Sequence, residues 1–158
     1  MREKIGNRPS LFIAAAVCVL IMLMIFLFSA QPAEASSETS GGVVEAVADA
    51  FGIEKSEENI DVLTVIVRKL GHFSEYALLG GAFFLLFSHF RSSLKLKLLV
   101  SFFASVGYAA TDEIHQKFVP GRAMRLSDFG IDALGSAAGI AAAAVIIAWA
   151  LKRIKKKK

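Results

Sequence analysis

The chain has 158 residues, of which 55% are hydrophobic and 20% charged, with a formal net charge of +4 and a mean hydropathy of +0.57. Soluble domains average roughly 45–50% apolar and about 25% charged residues, and the apolar excess of this chain lies in long runs. The composition excludes a disordered chain, a disulfide scaffold and an ordinary soluble enzyme. It predicts a single all-α membrane domain over residues 11–151, between basic tails at 1–10 and 152–158.

The first predicted element is a membrane span over residues 11–30, which contains no Asp, Glu, Lys or Arg. A cleaved signal peptide is the alternative, because Ala33-Glu34-Ala35 has the small-x-small pattern of a cleavage site. The apolar run is longer than the ~7–15 residues usual in a signal peptide, so we expect a retained helix. Both interpretations place the N-terminus in the cytoplasm.

The segment 31–69 is polar and acidic. Its residues 36–42 are Ser- and Gly-rich, which predicts a loop. The residues after this loop recur at helical spacing and predict a short amphipathic helix on the membrane surface: Val43, Val47, Ala50 and Phe51, with Val44 beside them. Ser56 is the predicted N-cap of a further helix that continues into the second span.

Three more spans are predicted, over residues 71–90, 94–113 and 129–151. Of the 18 Lys and Arg residues, three lie in the N-terminal tail, three between residues 91 and 97, and six in the C-terminal tail. The positive-inside rule assigns these three regions to the cytoplasm, with both termini inside and segment 31–69 outside. The basic charge is therefore attributed to topology and to contact with anionic headgroups, and no nucleic-acid binding is predicted.

Polar and ionisable residues recur near the predicted outer ends of three spans: Lys69, His72, Glu75, Tyr76, Asp112, Glu113, Gln116, Asp128 and Asp132. An unpaired charge at mid-helix costs roughly 2.5–3.5 kcal/mol to insert into a membrane. We therefore expect the second, third and fourth spans to turn these groups inward, around an outward-facing polar cavity or an ion-pair cluster that holds the helices in register. In particular, Glu75, Asp132 and Arg122 are expected to face one shared cavity.

The connection between the third and fourth spans contains Pro120-Gly121, which predicts a β-turn because Pro fixes φ at its second position and Gly permits a positive φ at its third. This turn is expected to aim Arg122 and Arg125 over the cavity. Ser127 is the predicted N-cap of the fourth span. Gly135 and Gly139 form a small-xxx-small face, for which packing within the chain is favoured over dimerisation.

These residues carry a family resemblance. The segments KLGHFSEYALLG at 69–80, DEIHQKFVPGR at 112–122 and FSAQP at 28–32, with Asp128, Asp132 and Gly135, are similar to the VanZ-like membrane proteins over residues 11–151. One position departs from the family pattern, since Ala133 follows Asp132 where Asn is frequent. The resemblance implies a multi-pass protein of the bacterial plasma membrane and a link to teicoplanin resistance in Gram-positive bacteria.

The first functional hypothesis is a binding module. The cavity is expected to capture an anionic headgroup or a lipid-linked cell-wall precursor, with Lys69, Arg122 and Arg125 as charge-assisted donors. The bilayer and this ligand are the expected partners, and the other residues named for the three spans complete the predicted ligand site.

The second hypothesis is a hydrolase or transferase that acts on a lipid or glycan, with His72, Glu75 and Asp132 as candidate catalytic residues. Carboxylates and His72 are also suitable ligands for a divalent cation, but their spacing is not specific, so no metal and no cofactor are predicted. The third hypothesis is a structural or regulatory partner of an envelope protein, which would dock on segment 31–69.

Overall fold

The computed structural model describes residues 8–156, which form five α-helices and contain no strand. The helices are α1 (Arg8–Ser29), α2 (Ala33–Phe51), α3 (Glu57–Phe87), α4 (Leu94–Gln116) and α5 (Leu126–Lys156). The parts of the predicted basic tails at 1–7 and 157–158 lie outside the described residues.

Four of the five helices, α1, α3, α4 and α5, are long and apolar enough to cross a membrane. This confirms the prediction of an all-α chain with four spans. Their boundaries differ from the prediction at several ends, most at the start of α1 and in α3, α4 and α5, since α1 begins at Arg8 and α4 ends at Gln116. Helix α3 stops at Phe87 rather than at residue 90, and α5 continues past Leu151 to Lys156.

Short polar residues define several helix ends. Ser56 is the N-cap of α3 as predicted, and its hydroxyl accepts a hydrogen bond from the amide of Asn59 at 3.3 Å. Ser93 caps α4 in the same way, at 3.3 Å from the amide of Leu96. The prediction for Ser127 is wrong, because α5 already begins at Leu126 and the Ser127 hydroxyl donates to Oδ1 of Asp128.

Helix α2 is longer than predicted, because residues 36–42 are helical rather than a loop. The hydroxyls of Ser37, Thr39 and Ser40 donate to carbonyls four residues earlier, which satisfies them within a helix. Helix α2 buries Val44 and Ala48 against α3, whereas Val43 and Phe51 are exposed. The loop prediction for residues 36–42 is wrong, and the contact of the predicted apolar face with the membrane surface stays a prediction.

Helices α3 and α5 cross with their backbones almost in contact. A Cβ on Gly139 would collide with the carbonyl oxygen of Ala77, and one on Gly80 would lie 2.5 Å from the carbonyl oxygen of Ser136. Such an approach is open only to small residues. The prediction that Gly135 and Gly139 pack within the chain is therefore confirmed, since Gly135 lies against the carbonyl of Phe73 in the same way.

Two apolar clusters hold the remaining helices in place. Ile25, Tyr76, Leu79 and Ala109 join α1, α3 and α4, and a second cluster of Val44, Ala48 and Leu63 attaches α2 to the N-terminal half of α3. The C-terminal half of α2 therefore packs against α3, and its N-terminal half borders a cavity.

Candidate functional site

A cavity of about 300 Å³ lies between the end of α1, the first half of α2, the middle of α3, the end of α4 and the α4–α5 linker. Its walls are largely apolar, but five ionisable side chains reach it: Arg68, His72, Glu75, Asp112 and Arg122. The prediction placed a cavity among the second, third and fourth spans. The structure instead builds it from α1, α2, α3 and α4, and none of the lining residues comes from α5.

The α4–α5 linker contains the predicted turn, and this turn joins the linker to the start of α2. The amide of Arg122 donates to the carbonyl of Val119 at 3.1 Å, and Gly121 has a φ of 73°, as the third position of a type II turn requires. The carbonyl of Pro120 accepts the amide of Ala33 at 3.2 Å, at the start of α2. A Cβ on Gly121 would lie 2.9 Å from the Cβ of Ala33, so the glycine also permits the close approach.

Arg122 is half-buried and held at the end of α1. Its Nε donates to the carbonyl of Gln31 at 2.9 Å, and Nη2 donates to the carbonyl of Phe28 at 3.1 Å. Burial and the nearby guanidinium of Arg68 lower the pKa of Arg122 below its ordinary value. Two positive groups therefore meet in one partly desolvated cavity, where the carboxyl groups of Asp112 and Glu75 partly offset their charge.

Arg125 does not line the cavity. Its side chain is exposed, and its backbone amide donates to Oε2 of Glu113 at 2.7 Å. The Glu113 carboxylate is thus placed at the N-terminus of α5, where the helix dipole favours a negative charge. Both residues therefore act in holding α4 to α5 at the end of the linker.

Nδ1 of His72 lies 3.3 Å from Oδ1 of Asp132 across the α3–α5 contact. The two groups are close enough for an ion pair but are not aligned as a hydrogen bond, and both carboxylate oxygens of Asp132 lack a hydrogen-bond partner among the described residues. Asp132 is fully buried. It therefore lies behind His72 and supports the cavity without lining it, which differs from the expectation of a shared lining.

Asp112 and Glu75 complete the charged lining. Asp112 is almost fully buried, and its Oδ2 accepts a hydrogen bond from Nε2 of Gln116 at 3.2 Å. Glu75 is half-buried one turn beyond His72. Gln116 thus orients Asp112 from behind, whereas Glu75 makes no hydrogen bond or ion pair with another described residue.

Three other predicted residues occupy the surroundings of the cavity. Lys69 and Asp128 form an ion pair at 3.3 Å that joins α3 to α5, with the Lys69 side chain 41% exposed. Tyr76 is fully buried between α1 and α4. The structure therefore brings His72, Glu75, Asp112 and Arg122 into the lining and leaves the other predicted residues around it.

Sequence reasoning missed several lining residues. Arg68 lies four residues before His72 and seven before Glu75, a helical stripe that could have identified it. The hydroxyls of Ser36, Thr39 and Ser40 line the wall formed by α2, and no signal pointed to them because their segment resembled a loop. Ser29 also lines the cavity, and its buried Oγ has no hydrogen-bond partner among the described residues.

No three described His, Cys, Asp or Glu side chains converge closely enough to hold a metal ion. The arrangement is instead a mixed site. It offers two guanidiniums, an imidazole supported by a carboxylate, two further carboxyl groups and a row of hydroxyls beside apolar surface.

Comparison with known proteins identifies one family. A sequence model described as VanZ/LLP1 matches residues 13–148, from the first turns of α1 to the last turns of α5. No curated protein and no solved structure gives a significant match to the chain.

Proposed function

The chain belongs to the VanZ/LLP1 family, and from this premise we propose that its cavity faces the cell exterior and binds the anionic headgroup of an envelope ligand, such as a lipid-linked cell-wall precursor. The family and the four apolar helices support a multi-pass membrane protein. The bacterial plasma membrane is the proposed location.

The outward direction of the cavity rests on the distribution of charge. Arg91 lies in the loop between α3 and α4, Lys95 and Lys97 lie in the first turn of α4, and the C-terminal tail is basic. These regions belong in the cytoplasm by the positive-inside rule. The connections at the other ends of the same helices, including α2 and the linker with Arg122, then lie outside.

Single cysteines test this topology. Cys18 is the only cysteine of the chain, so Cys18→Ala provides a background without thiols. In this background Glu54→Cys should react with a membrane-impermeant maleimide on intact cells, whereas Lys95→Cys should react only after permeabilisation. Labelling in the reverse order would contradict the outward cavity.

The observation that carries the binding proposal is the pair of guanidiniums in one partly apolar cavity. Arg68 and Arg122 both line it, and Arg122 is fixed in place by two carbonyls of the chain. Guanidinium groups bind carboxylate and phosphate oxygens in bidentate geometry, and such charge-assisted bonds are about twice as strong as neutral ones. A fixed cation also loses little side-chain entropy on binding.

The rest of the lining suits a ligand that is anionic at one end and apolar at the other. Ser29 offers a buried hydroxyl without a partner, which an anionic oxygen can satisfy. Phe28, Val43 and Val67 supply apolar surface beside it. This combination favours a lipid-linked anion over a small soluble one.

Binding to purified protein in nanodiscs, with a lipid-linked wall precursor as the probe, tests the proposal. We expect Arg68→Gln to raise the Kd by about 10- to 100-fold, since a hydrogen bond to a charged group contributes about 1.5–3 kcal/mol. Lys69→Gln is the neighbouring comparison and should have a smaller effect, because Lys69 already pairs with Asp128. Lys117→Gln, an exposed position on the linker, serves as the control that leaves the Kd unchanged.

Arg122→Ala is the second variant. It should weaken binding at least as much as Arg68→Gln, because it removes the fixed guanidinium and also releases the carbonyls of Phe28 and Gln31. Unchanged affinity in both variants would refute the assigned role of the two arginines.

A role in teicoplanin resistance is the cellular form of this proposal. A deletion strain should become more susceptible to teicoplanin, and the wild-type chain should restore resistance whereas Arg68→Gln should not. Equal susceptibility of all strains would remove resistance from the proposal, while the binding measurement would still test the site.

A further inference from the structure

The His72–Asp132 pair is not needed for holding an anion. A carboxylate that is fully buried, with both oxygens free of hydrogen bonds among the described residues, is costly unless a neighbouring N–H group compensates it. Asp132 nevertheless lies against one nitrogen of one imidazole, 3.3 Å away. A carboxylate placed beside one ring nitrogen is found next to many reactive histidines, and it leaves the second ring nitrogen for chemistry.

Asp132 lies in the closely packed part of the α3–α5 contact. The hydroxyl of Ser136 donates to its carbonyl at 2.8 Å, and the next turn of α5 carries Gly135 against the backbone of Phe73, the neighbour of His72. The carboxylate and the imidazole are therefore fixed to one another by a direct backbone contact between α3 and α5. A contact between Nδ1 and Asp132 leaves Nε2 as the nitrogen available to the cavity that His72 lines.

From this geometry we infer that the cavity hydrolyses a phosphate monoester, with Nε2 of His72 as the nucleophile, Glu75 as the acid and base, and Asp132 as a positioning residue. The inference rests on the proposed function, because Arg68 and Arg122 are the groups that would hold the phosphoryl oxygens. It goes beyond that function, because an anion-binding module needs neither His72 nor Asp132.

A phosphoryl group fits these donors better than an acyl group. It carries three terminal oxygens, and Arg68, Arg122 and the free hydroxyl of Ser29 are three donors lining the same cavity. Positioning and charge stabilisation of those oxygens account for most of the catalysis in phosphoryl transfer. The ester oxygen would then lead to an apolar group along Val43 and Val67.

The reaction balances with water as the only co-reactant. In the first step the lone pair of Nε2 forms a bond to phosphorus, the ester P–O bond breaks, and the alcohol leaves with the proton of the Glu75 carboxyl group. In the second step the Glu75 carboxylate accepts a proton from water, whose oxygen attacks phosphorus. The P–N bond breaks, its electron pair returns to Nε2, and inorganic phosphate leaves.

Two phosphate monoesters distinguish a lipid-borne substrate from a soluble one. ³²P-labelled dodecyl phosphate tests a lipid-borne group, and labelled p-nitrophenyl phosphate tests a soluble one, both with the full chain in proteoliposomes. We expect release of phosphate and a trapped label on the protein that is stable in alkali and lost in acid, as for phosphohistidine. Hydrolysis of dodecyl phosphate alone would assign a lipid substrate, and hydrolysis of both would extend the activity to soluble esters.

Variants assign the roles. His72→Ala should lose the label and lower the rate about 1,000-fold or more, and added imidazole should restore part of the turnover, which an unfolded variant could not do. Glu75→Gln should still release p-nitrophenolate, which needs no proton, but should keep the label on the protein. Asp132→Asn should lower kcat while KM stays near the wild-type value, because it acts through the ring. Lys117→Gln should match the wild type.

The inference would be overturned by wild-type protein that binds dodecyl phosphate yet forms no acid-labile label and releases no phosphate, and also by a His72→Ala variant with full activity. Either result would leave the proposed binding function in place. Absence of binding in the wild type would refute both proposals together.

Discussion

The two sides of α3 pack in opposite ways. Towards α5, small residues allow the backbones to meet at Gly80 and Gly139, and little space remains. Towards α2, Arg68 and Glu75 face serine and threonine hydroxyls across a cavity of about 300 Å³. Both sides use small residues on the partner helix, but glycines bring α5 inward whereas α2 is supported further along, at Val44 and Ala48.

The side of α3 that faces α5 is therefore rigid, whereas the side that faces α2 is accessible to a ligand. The α3–α5 contact fixes the backbone of α3 against α5, and the α2 side leaves some side chains of α3 accessible from the cavity. His72 lies at the boundary, because its ring lines the cavity while Nδ1 contacts Asp132 on the tight side. Changes on the α5 side should therefore alter stability most, and changes on the α2 side should alter binding most.

The largest effect is expected from Gly139→Val. Its side chain would collide with the carbonyl of Ala77 and force the two helices apart, which should destabilise the bundle by about 3 kcal/mol. Thermal unfolding in detergent measures this loss. Gly130→Ala on the same helix is the control, because a Cβ there meets nothing within 4 Å. Equal Tm values for the two variants would contradict the tight contact.

A smaller effect is expected from Val44→Ala, which removes a buried contact between α2 and α3. We expect the packing of α2 against α3 to be weakened by about 1–2 kcal/mol. Proteolysis of α2 should then be faster and ligand binding weaker, while the Tm of the bundle should change little. Glu45→Ala is the adjacent control, since Glu45 is exposed and does not line the cavity. A global loss of Tm in Val44→Ala would show that the two sides are not separable.

The buried hydroxyls of Ser105 and Ser136 test how much a hydrogen bond contributes to the packing of α5. The two oxygens are 2.7 Å apart between α4 and α5, and because Ser136 donates to the carbonyl of Asp132, Ser105 must donate to Ser136. A double-mutant cycle with both alanine variants should give a coupling of about 0.6 kcal/mol, the average for hydrogen bonds between membrane helices. A coupling of zero would assign the pair no part in holding α5.

The smallest effect is expected at the far end of α2. Lys55 and Asp49 form an exposed ion pair at 2.8 Å, and exposed pairs contribute little to stability. Lys55→Gln should therefore change neither the Tm nor ligand affinity. A measurable loss of affinity would extend the site to the α2–α3 turn.

The sequence predicted the spans well because long apolar runs without charges have few alternative structures. It also predicted the turn at Pro120-Gly121 and the cap at Ser56, since both depend on local geometry. It failed for α2, where the same Ser and Gly residues are compatible with a loop or with a helix whose hydroxyls bond to its own carbonyls. The choice between them depends on the contacts with α3.

The candidate site was predicted in part for a similar reason. His72, Glu75 and Asp112 were identified because ionisable groups at membrane depth are unusual, but Asp132 was expected in the lining and lies behind His72 instead. Arg68 was missed because the stripe through Lys69 was followed rather than the stripe one residue earlier. Helical spacing fixes which residues share a face, whereas the rotation of each helix about its axis is set by the packing of the whole bundle.

The hydrogen bonds that Pro120 accepts and Arg122 donates have a further consequence for the linker. They hold the junction of α1 and α2 at Phe28, Gln31 and Ala33, so this junction works as a latch on one wall of the cavity. Amide hydrogen exchange in residues 33–40 should then be slow only while the latch is closed, and Arg122→Ala should speed it without affecting the amides of α5. The exchange rate of one short segment would thus report how often the cavity opens.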